Sequence, residues 1–468
     1  MQENFACFVE SNARRFKGKA ALVWQDGSLT WAELERRASG IARLLAKQGV
    51  MPGDRVAMLA PNRWSFPVTF LGVLKLSATA APLTPLLQKE ELAEILGDLR
   101  AKRVLGEVKV REDVWVTPRL TNSPALIVYT SGSTGRPKGA VFSHRALTFV
   151  NRSWGEPVMG LKLEDVVLGV LPYGHNFGMY GGLLAPLLFG ATVALVERFT
   201  PEAVFDAIKR HRVTVFPGVP TMFRRLLNSP EFASADLSSL RLTVSGAAPC
   251  PWELVKEWRA RTGTRILRGY GMTEVPRPIS YFADDPTDFP DSIGRAVPGV
   301  EVRVVDEAAR SLTCGEVGEL WIKSPAAMDA YLDAPEETQG VLVDGWFKTG
   351  DLASVSSEGF IRIVGRKRER ILRGGYSVFP QEVEAVLLSH PAVAEAAVVG
   401  VPSPDLGEEV TAFVTLKPMA GTTAEVLISF CKEHLAHFKF PRRVTIVNEL
   451  PKGTTGKIIK AELIREHF

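Results

Sequence analysis

Apolar residues are grouped along the chain in short runs, and amphipathic stretches with helix-like spacing separate several of them. Short apolar runs are typical of strands buried on both faces, whereas apolar residues at every third or fourth position predict helices. Strands are predicted at 55–60, 124–130, 166–171, 191–196, 212–216 and 241–245. Because strands alternate with helices, we expect an α/β fold built from parallel sheets covered by helices.

The start of one helix can be predicted from its capping residues. Thr30 precedes the amphipathic segment 31–48, and Glu33 stands three residues later. In such a capping box the two side chains bond free backbone N–H groups at the start of the helix. We therefore expect a helix over 31–48, and the next apolar segment predicts a second helix over 64–77.

The pattern changes after Asp351. An alternating strand at 359–364 is followed by the strongly basic connection 365–370. Further elements are predicted as helices at 380–389 and 422–436, and as strands at 393–400 and 409–416. We place a domain boundary here, which gives a large N-terminal domain, 1–365, and a small α+β C-terminal domain, 366–468.

Composition excludes several classes of protein. The chain has 468 residues, more than one hydrophobic core usually supports, and a net charge of +4, which gives no reason to expect a nucleic-acid partner. Four scattered cysteines form no CxxC pair, and the first residues have no basic and apolar leader, so a cytoplasmic location is expected. The sequence leaves a homodimer open.

Two apolar stretches require a test for membrane insertion. Residues 66–87 contain Lys75 and three prolines, and residues 181–196 are short and contain Pro186. Neither reaches the roughly 18–20 clean apolar residues that a spanning helix needs. We expect buried core elements and no stable membrane insertion, with peripheral contact left open for a lipid substrate.

A loop rich in glycine and hydroxyl side chains follows the predicted strand 124–130. Its residues are Thr130, Ser131, Gly132, Ser133, Thr134, Gly135, Arg136, Pro137 and Lys138. Glycines allow close backbone approach, backbone N–H groups can surround an anion, and a lysine adds positive charge. The loop predicts a polyphosphate site of a kind different from the Walker A loop, with a flexible linker as the alternative.

Four further motifs carry weaker indications when each is taken alone. Gly269 to Glu274 combines an aromatic ring for a purine, a threonine for a phosphate and a carboxylate for Mg²⁺. Gly345 to Asp351 ends in a carboxylate that could hold ribose hydroxyls, Arg366 opens the basic connection, and Lys457 lies on a Gly/Thr-rich turn. A capped turn or solvated charge explains each equally well in isolation.

Together and in this order, the five motifs resemble those of the ANL superfamily of adenylate-forming enzymes, which includes acyl-CoA synthetases, adenylation domains and luciferases. The resemblance covers essentially the whole chain and implies ATP, Mg²⁺ and coenzyme A as cofactors. It also implies that the C-terminal domain is a mobile lid that carries the catalytic lysine. An acid would first react with ATP to give an acyl-adenylate and pyrophosphate.

The resemblance also implies roles for individual residues. The loop from Thr130 to Lys138 would close over the β and γ phosphates, Tyr270 would pack on adenine, and Thr273 would contact the α-phosphate. Glu274 and Thr130 would hold Mg²⁺. Asp351 and Arg366 would bind the ribose, Lys457 would bridge the acid and the α-phosphate, and Arg368 would be the hinge. The resemblance implies that Gly374 and Gly375 lie along the coenzyme A arm.

The acid is less constrained than the nucleotide. The segment Pro172 to Gly178 resembles the family's acyl-pocket border, and small or apolar side chains suit a fatty or aryl acid. The expected pocket residues are His175, Phe177, Gly178, Val219, Gly246, Ala247 and Met272. The resemblance favours His175 as a catalytic residue that gates the pocket, with a packed core histidine as the alternative. Arg277 could meet a second carboxylate, but a surface position is expected for it. Arg268, Arg373 and Tyr376 depart from the family pattern.

The sequence therefore predicts a carboxylic acid–coenzyme A ligase, with a medium- or long-chain fatty acid as the first candidate and an aryl acid as the second. A dicarboxylic acid is a further alternative. The acyl group could also pass to a carrier protein or an amine, and a nucleotide-binding relative without catalysis is the non-enzymatic alternative.

Overall fold

The computed structural model describes residues 1–108, 111–130, 137–285, 288–417, 420–452 and 458–467. The chain divides into two compact units. Unit 1 comprises Met1–Cys250, Leu254–Glu301 and Ile322–Phe347, and unit 2 comprises Pro251–Glu253, Val302–Trp321 and Lys348–Phe468. The domain boundary expected after residue 365 from the change of sequence pattern stays a prediction.

The largest sheet of unit 1 has seven strands among the described residues. In spatial order they are Ile266–Leu267, Leu242–Ser245, Val215–Gly218, Val166–Gly169, Thr192–Leu195, Ala20–Trp24 and Gly27–Thr30. Only the last pair is antiparallel. Val167, Val193 and Val215 are fully buried, as expected for parallel strands covered on both faces.

A second sheet of unit 1 contains the strands beside the phosphate loop. Its described strands are, in order, Ala330–Tyr331, Lys138–Phe142, Leu126–Thr130, Thr79–Leu83, Arg55–Leu59 and Arg103–Leu105. The first two neighbouring pairs are antiparallel and the others are parallel. Short antiparallel pairings join Gly269–Tyr270, Ile279–Ser280 and Arg295–Ala296, and also Gln2–Glu3 and Leu120–Thr121.

The longest described helix has the predicted cap. It spans Trp31–Lys47; the Thr30 hydroxyl accepts from the Glu33 N–H, and the Glu33 carboxylate accepts from the Thr30 N–H. The other helices before residue 348 are Ala6–Arg15, Ser65–Lys75, Lys89–Leu99, His144–Ser153, Asn176–Met179, Ala185–Phe189, Pro201–His211, Pro220–Leu227, Trp252–Thr262 and Pro335–Val341. Trp154–Val158 and Tyr180–Leu184 are π-helical, and Pro230–Ser234 is a 3₁₀ turn.

The two long apolar stretches are core elements, as predicted. The first becomes helix Ser65–Lys75 and strand Thr79–Leu83, whose residues are all buried. Lys75 is only 1% exposed because its ammonium group pairs with the carboxylates of Glu10 and Glu35. Within the described part of the chain, no helix is both long enough and apolar enough to cross a membrane.

Unit 2 contains the C-terminal α+β part. Its main sheet has the order Tyr376–Val378, Ile371–Arg373, Gly407–Leu416 and Val393–Ser403, and Arg443–Ile446 pairs in parallel with the third of these strands. The helices are Pro380–Ser389, Ala424–His434 and Lys460–His467. The first two lie close to the helices predicted at 380–389 and 422–436. Val398, Val410 and Leu427 are fully buried between the helices and the sheet.

The remaining strands lie in the part of the chain, residues 301–366, where the limits between the two units fall. They are Glu301–Val305, Gly318–Lys323, Leu342–Val343, Trp346–Val355 and Ile361–Arg366. The prediction of a connection over 365–370 was too early. Gly365 pairs with Leu352 and Arg366 with Asp351, so the strand continues to Arg366 before a 3₁₀ turn, Lys367–Glu369.

Candidate functional site

Four predicted motifs in unit 1 follow neighbouring parallel strands. Pro172 to Gly178 comes after Val166–Gly169, and Val219 directly follows Val215–Gly218. Gly246 follows Leu242–Ser245, and the motif with Tyr270 follows Ile266–Leu267. Carboxyl ends of parallel strands meet at one edge of a sheet, where α/β folds bind ligands. The strand order therefore gathers segments that are far apart in the sequence.

The phosphate loop connects two antiparallel strands. Thr130 ends the first strand, Lys138 begins the second, and these two residues are paired. Ser131, Gly132, Ser133, Thr134 and Gly135 lie outside the described residues. The described strands fix the two ends of the loop, and the roles of these five loop residues stay predictions.

Tyr331 connects the strand of the phosphate loop to the predicted metal ligand. Its hydroxyl donates to Glu274 Oε1 at 2.7 Å, and Lys138 Nζ lies 5.4 Å from the centre of its ring. The backbone is also joined, because the Met328 N–H donates to the Glu274 carbonyl at 2.8 Å. Burial, with Glu274 adding to it, raises the pKa of Tyr331, so the hydroxyl stays a donor. The structure thus brings Lys138 and Glu274 to the same side chain, one beside its ring and the other at its hydroxyl.

The predicted Mg²⁺ ligands suit an ion that is coordinated mainly by the phosphate oxygens of a nucleotide. Among the described residues, no three metal-ligating side chains form a cluster. Mg²⁺ at phosphate sites is commonly held by one or two carboxylates together with phosphate oxygens and water. Glu274 fits this role since Tyr331 orients one of its carboxylate oxygens and its side chain is only partly buried.

The segment that borders the predicted acyl pocket contacts the Thr273 backbone. Asn176 Nδ2 donates to the Thr273 carbonyl at 2.8 Å, beside the half-buried His175 that precedes helix Asn176–Met179. Gly178 has a local packing reason: a Cβ there would strike the carbonyl oxygens of Pro172 and Leu171. The segment is therefore anchored to the motif that contains the predicted phosphate contact.

Gly246 and Phe177 adjoin the side chain of Arg277. A Cβ on Gly246 would lie 3.1 Å from Arg277 Nη1 and 3.4 Å from the Phe177 ring. The expectation of a surface position for Arg277 is wrong, since it is only 7% exposed. Ala247 has a φ of +65°, and the Met272 N–H donates to the Val275 carbonyl, so both lie in tight turns. Their contact with an acid stays a prediction, as does that of Val219.

Arg268 has a bracing role in the structure. It is 5% exposed, and its two Nη atoms donate to the carbonyls of Pro290 and Phe289 at 2.6 and 2.5 Å. Its guanidinium also lies over the Tyr281 ring. This packing explains why an arginine stands two residues before Tyr270.

The predicted ribose-binding pair is formed within unit 2. Asp351 and Arg366 are register partners on antiparallel strands, and Arg366 Nε lies 3.3 Å from Asp351 Oδ1. Asp351 belongs to strand Trp346–Val355 and is 5% exposed, whereas the sequence predicted a carboxylate at the end of a loop. The strand pairing, not a turn, places these two side chains together.

The glycine pair assigned to coenzyme A forms a hairpin turn. Gly374 and Gly375 have φ values of +55° and +84°, and they connect the paired residues Arg373 and Tyr376. Two-residue hairpins favour positive φ at both turn positions, which explains the two glycines without a ligand. The predicted hinge, Arg368, is exposed in the turn Lys367–Glu369. Lys457 lies outside the described residues.

Sequence reasoning missed Tyr331 and misplaced Arg277. Tyr331 is in a two-residue strand with no motif around it. Its pairing with the strand Lys138–Phe142 brings it near Lys138, and the backbone bond from Met328 to Glu274 brings the same segment to Glu274. The position of Arg277, three residues after Glu274, indicates it as a candidate partner of a second carboxylate. The residues next to it, which include two prolines, give no sign that its side chain would be buried.

Comparison with known proteins identifies the family to which the chain belongs. The AMP-binding enzyme family matches residues 9–120 and 109–332, and the AMP-binding enzyme C-terminal domain matches residues 382–457. Feruloyl-CoA synthase of Amycolatopsis sp is 35% identical over 96% of each chain. Long-chain-fatty-acid–CoA ligase of Yersinia pestis is 31% identical over 97% of this chain and 92% of its own.

The fold is also that of solved enzymes of this kind. The crystal structure of ATP-bound MatB from Rhodopseudomonas palustris has a TM-score of 0.93 and 30% identity, over 100% of this chain and 99% of that chain. The predicted α/β fold with a smaller C-terminal α+β part is confirmed. The chain belongs to the AMP-binding enzyme family, in the ANL superfamily of adenylate-forming enzymes.

Proposed function

We propose that this protein is an ATP-dependent carboxylic acid–coenzyme A ligase that works through an acyl-adenylate. The observation that carries the proposal is the junction at Tyr331, where the strand of the phosphate loop meets the carboxylate of Glu274. Lys138 could bind phosphate oxygens and Glu274 could bind Mg²⁺. A site that holds both groups suits a nucleoside triphosphate. The CoA-ligase names of the curated relatives favour the same reaction class.

In the first half-reaction, a carboxylate oxygen of the acid attacks the α-phosphorus of ATP and pyrophosphate leaves. The attack requires charge neutralisation and in-line positioning because both reactants are anionic. Lys138 and the loop beginning at Thr130 would hold the leaving phosphates, and Thr273 would contact the α-phosphate. Lys457 would neutralise the incoming carboxylate. Mg²⁺, when bound at Glu274, would supply further charge neutralisation on the phosphate oxygens.

Adenosine would be held by Tyr270, from the motif Gly269 to Glu274, and by the pair Asp351 and Arg366. Tyr270 would stack on the base, and Asp351 would accept hydrogen bonds from the ribose hydroxyls with Arg366 beside it. The buried Asp351 carboxylate supports this role, since its strand fixes its position and Arg366 limits its rotation. A carboxylate so held can accept from two neighbouring hydroxyls at once.

In the second half-reaction, the thiol of coenzyme A attacks the acyl carbon and AMP leaves. This step has no need of Lys457, so a C-terminal domain that moves about Arg368 could withdraw it between the two steps. The exposed position of Arg368 in a short turn is compatible with a hinge. Gly374 and Gly375 would let the pantetheine arm pass close to the backbone, although their turn alone accounts for them.

The acyl pocket is assigned to the strand ends with His175, Phe177, Val219 and Gly246, near Met272. An aromatic wall and small residues suit a fatty or aryl acyl group. The curated relatives include a long-chain-fatty-acid–CoA ligase and a feruloyl-CoA synthase, so both fatty and aryl acids belong in the test.

The proposal is tested by acid-dependent release of pyrophosphate across fatty, aryl and dicarboxylic acids, followed by detection of the acyl-CoA. Lys457→Ala should abolish adenylation and largely spare thioester formation from a supplied acyl-adenylate. Lys452→Ala is the matched control, because Lys452 pairs with Glu395 and belongs to no predicted contact. Equal loss of both half-reactions in Lys457→Ala would contradict the role of Lys457.

A further inference from the structure

Arg277 is a buried cation whose hydrogen bonds are incomplete. Its Nε donates to Ser280 Oγ at 3.1 Å, and its Nη1 donates to the Ser245 carbonyl at 3.2 Å. Nη2 is buried and finds no hydrogen-bond partner within the described ranges. Because buried polar groups are nearly always paired, a donor left over on a 7% exposed arginine points to a missing acceptor.

The charge of Arg277 is not balanced by the residues around it. No carboxylate of the described residues forms an ion pair with it, and its side chain lies over Trp154, 4.4 Å from the ring centre. Burial alone lowers the pKa of Arg277 to about 9, so the group is still charged at neutral pH. An aromatic face compensates only part of the cost of burying a cation, and an anion would compensate far more.

Three glycines make the space in which Arg277 lies. A Cβ on Gly269 would be 2.5 Å from Arg277 Cζ, a Cβ on Gly271 would strike its backbone nitrogen, and Gly246 adjoins Nη1. The glycines on either side of Tyr270 are thus needed for the arginine. Arg277 itself has a φ of +39°, in the left-handed region that larger residues seldom adopt. This local strain and the three glycines hold the guanidinium at one place.

That place is the predicted acyl pocket. Nη1 adjoins Gly246, and the ring of Phe177, which stacks on Trp154 at 5.4 Å, lies within 6 Å of the guanidinium. Gly246 follows the carboxyl end of a central parallel strand, where the acid is expected. A group that reaches Arg277 would therefore be part of the acyl chain and distant from the carboxylate that reacts.

We propose that Arg277 determines specificity by binding a second carboxylate, so that the substrate is a dicarboxylic acid with an apolar middle section. This inference rests on the proposed function and names its substrate class. One carboxylate reacts with ATP, and the other accepts hydrogen bonds from Nη2 and neutralises the buried charge. A bond to a charged group of this kind changes affinity by about 10- to 100-fold.

The test compares α,ω-dicarboxylic acids of increasing length with monocarboxylic acids of equal carbon number, by acid-dependent pyrophosphate release. Wild-type enzyme should prefer the diacid at one or more lengths by at least about 10-fold in kcat/KM. Arg277→Met should lose this preference by about 10- to 100-fold, through KM, and retain or improve activity on the monoacid. Arg277→Lys should lie between them.

Arg268→Met is the matched control. It removes an equally buried guanidinium whose two Nη atoms already bond carbonyl oxygens, so the ratio of diacid to monoacid activity should stay unchanged. The proposal is overturned if wild-type enzyme prefers the monoacid at every length, or if Arg277→Met and Arg277→Lys lower both activities equally. Absence of pyrophosphate release with every acid would instead contradict the ligase function itself.

Discussion

Removing a single hydroxyl group tests whether Tyr331 orients Glu274. Tyr331→Phe keeps the aromatic ring beneath Lys138 and deletes only the donor that bonds Glu274 Oε1 at 2.7 Å. Tyr331→Leu removes both the donor and the ring. The comparison separates the contribution to the carboxylate from the contribution to the lysine.

The magnitude follows from the burial and charge of the pair. Tyr331 is 8% exposed, and hydrogen bonds to charged groups contribute roughly 1.5–3 kcal/mol. Loss of a residue that orients a metal ligand typically costs about 10- to 100-fold in metal affinity or activity. We expect the Mg²⁺ concentration for half-maximal pyrophosphate release to rise by that factor in Tyr331→Phe.

The assay is a titration of MgCl₂ at fixed ATP and acid, with thermal unfolding measured in parallel. Tyr129→Phe is the control, because it deletes a similar hydroxyl that donates to Asp98 at 2.6 Å, outside the predicted contacts. We expect no change in Mg²⁺ dependence for this control. A Tyr331→Phe enzyme with wild-type Mg²⁺ dependence would refute the reasoning.

Three further results are expected from substitutions and pH. Lys75→Met should lower the free energy of unfolding by about 3 kcal/mol in a urea titration, because it leaves Glu10 and Glu35 without their buried cation; an unchanged midpoint would contradict this. Gly269→Ala should reduce diacid activity more than monoacid activity, because the new Cβ displaces the Arg277 guanidinium; equal reductions would count against it. The ratio of diacid to monoacid kcat/KM should stay constant between about pH 6.5 and 8, because the Arg277 guanidinium and the second carboxylate are both charged over this range, and a ratio that changes there would contradict its role.

The alternation of elements could be predicted because it depends on local patterns. The capping box at Thr30 and Glu33 gave the start of helix Trp31–Lys47, and short valine-rich runs gave the parallel strands. Strand order requires nonlocal pairing, which no local pattern contains. The sequence therefore gave no indication that Tyr331 would lie beside Lys138 or that Asp351 and Arg366 would be register partners.

The roles of glycines were the hardest to predict. Glycine suits close ligand approach, a left-handed turn and close packing of another side chain equally well. Gly374 and Gly375 serve a hairpin turn, and Gly269 and Gly271 make space for Arg277. Only the neighbours in three dimensions distinguish these reasons, and those neighbours come from other segments or from across a turn.

The most direct test of the central claim is to identify the products formed from ATP. Wild-type enzyme with ATP, Mg²⁺, coenzyme A and a substrate acid should yield AMP, pyrophosphate and acyl-CoA in equal amounts. Without coenzyme A, acid-dependent exchange of labelled pyrophosphate into ATP should persist. Formation of ADP and phosphate, or ATP binding with no exchange for any acid, would contradict an adenylate-forming ligase.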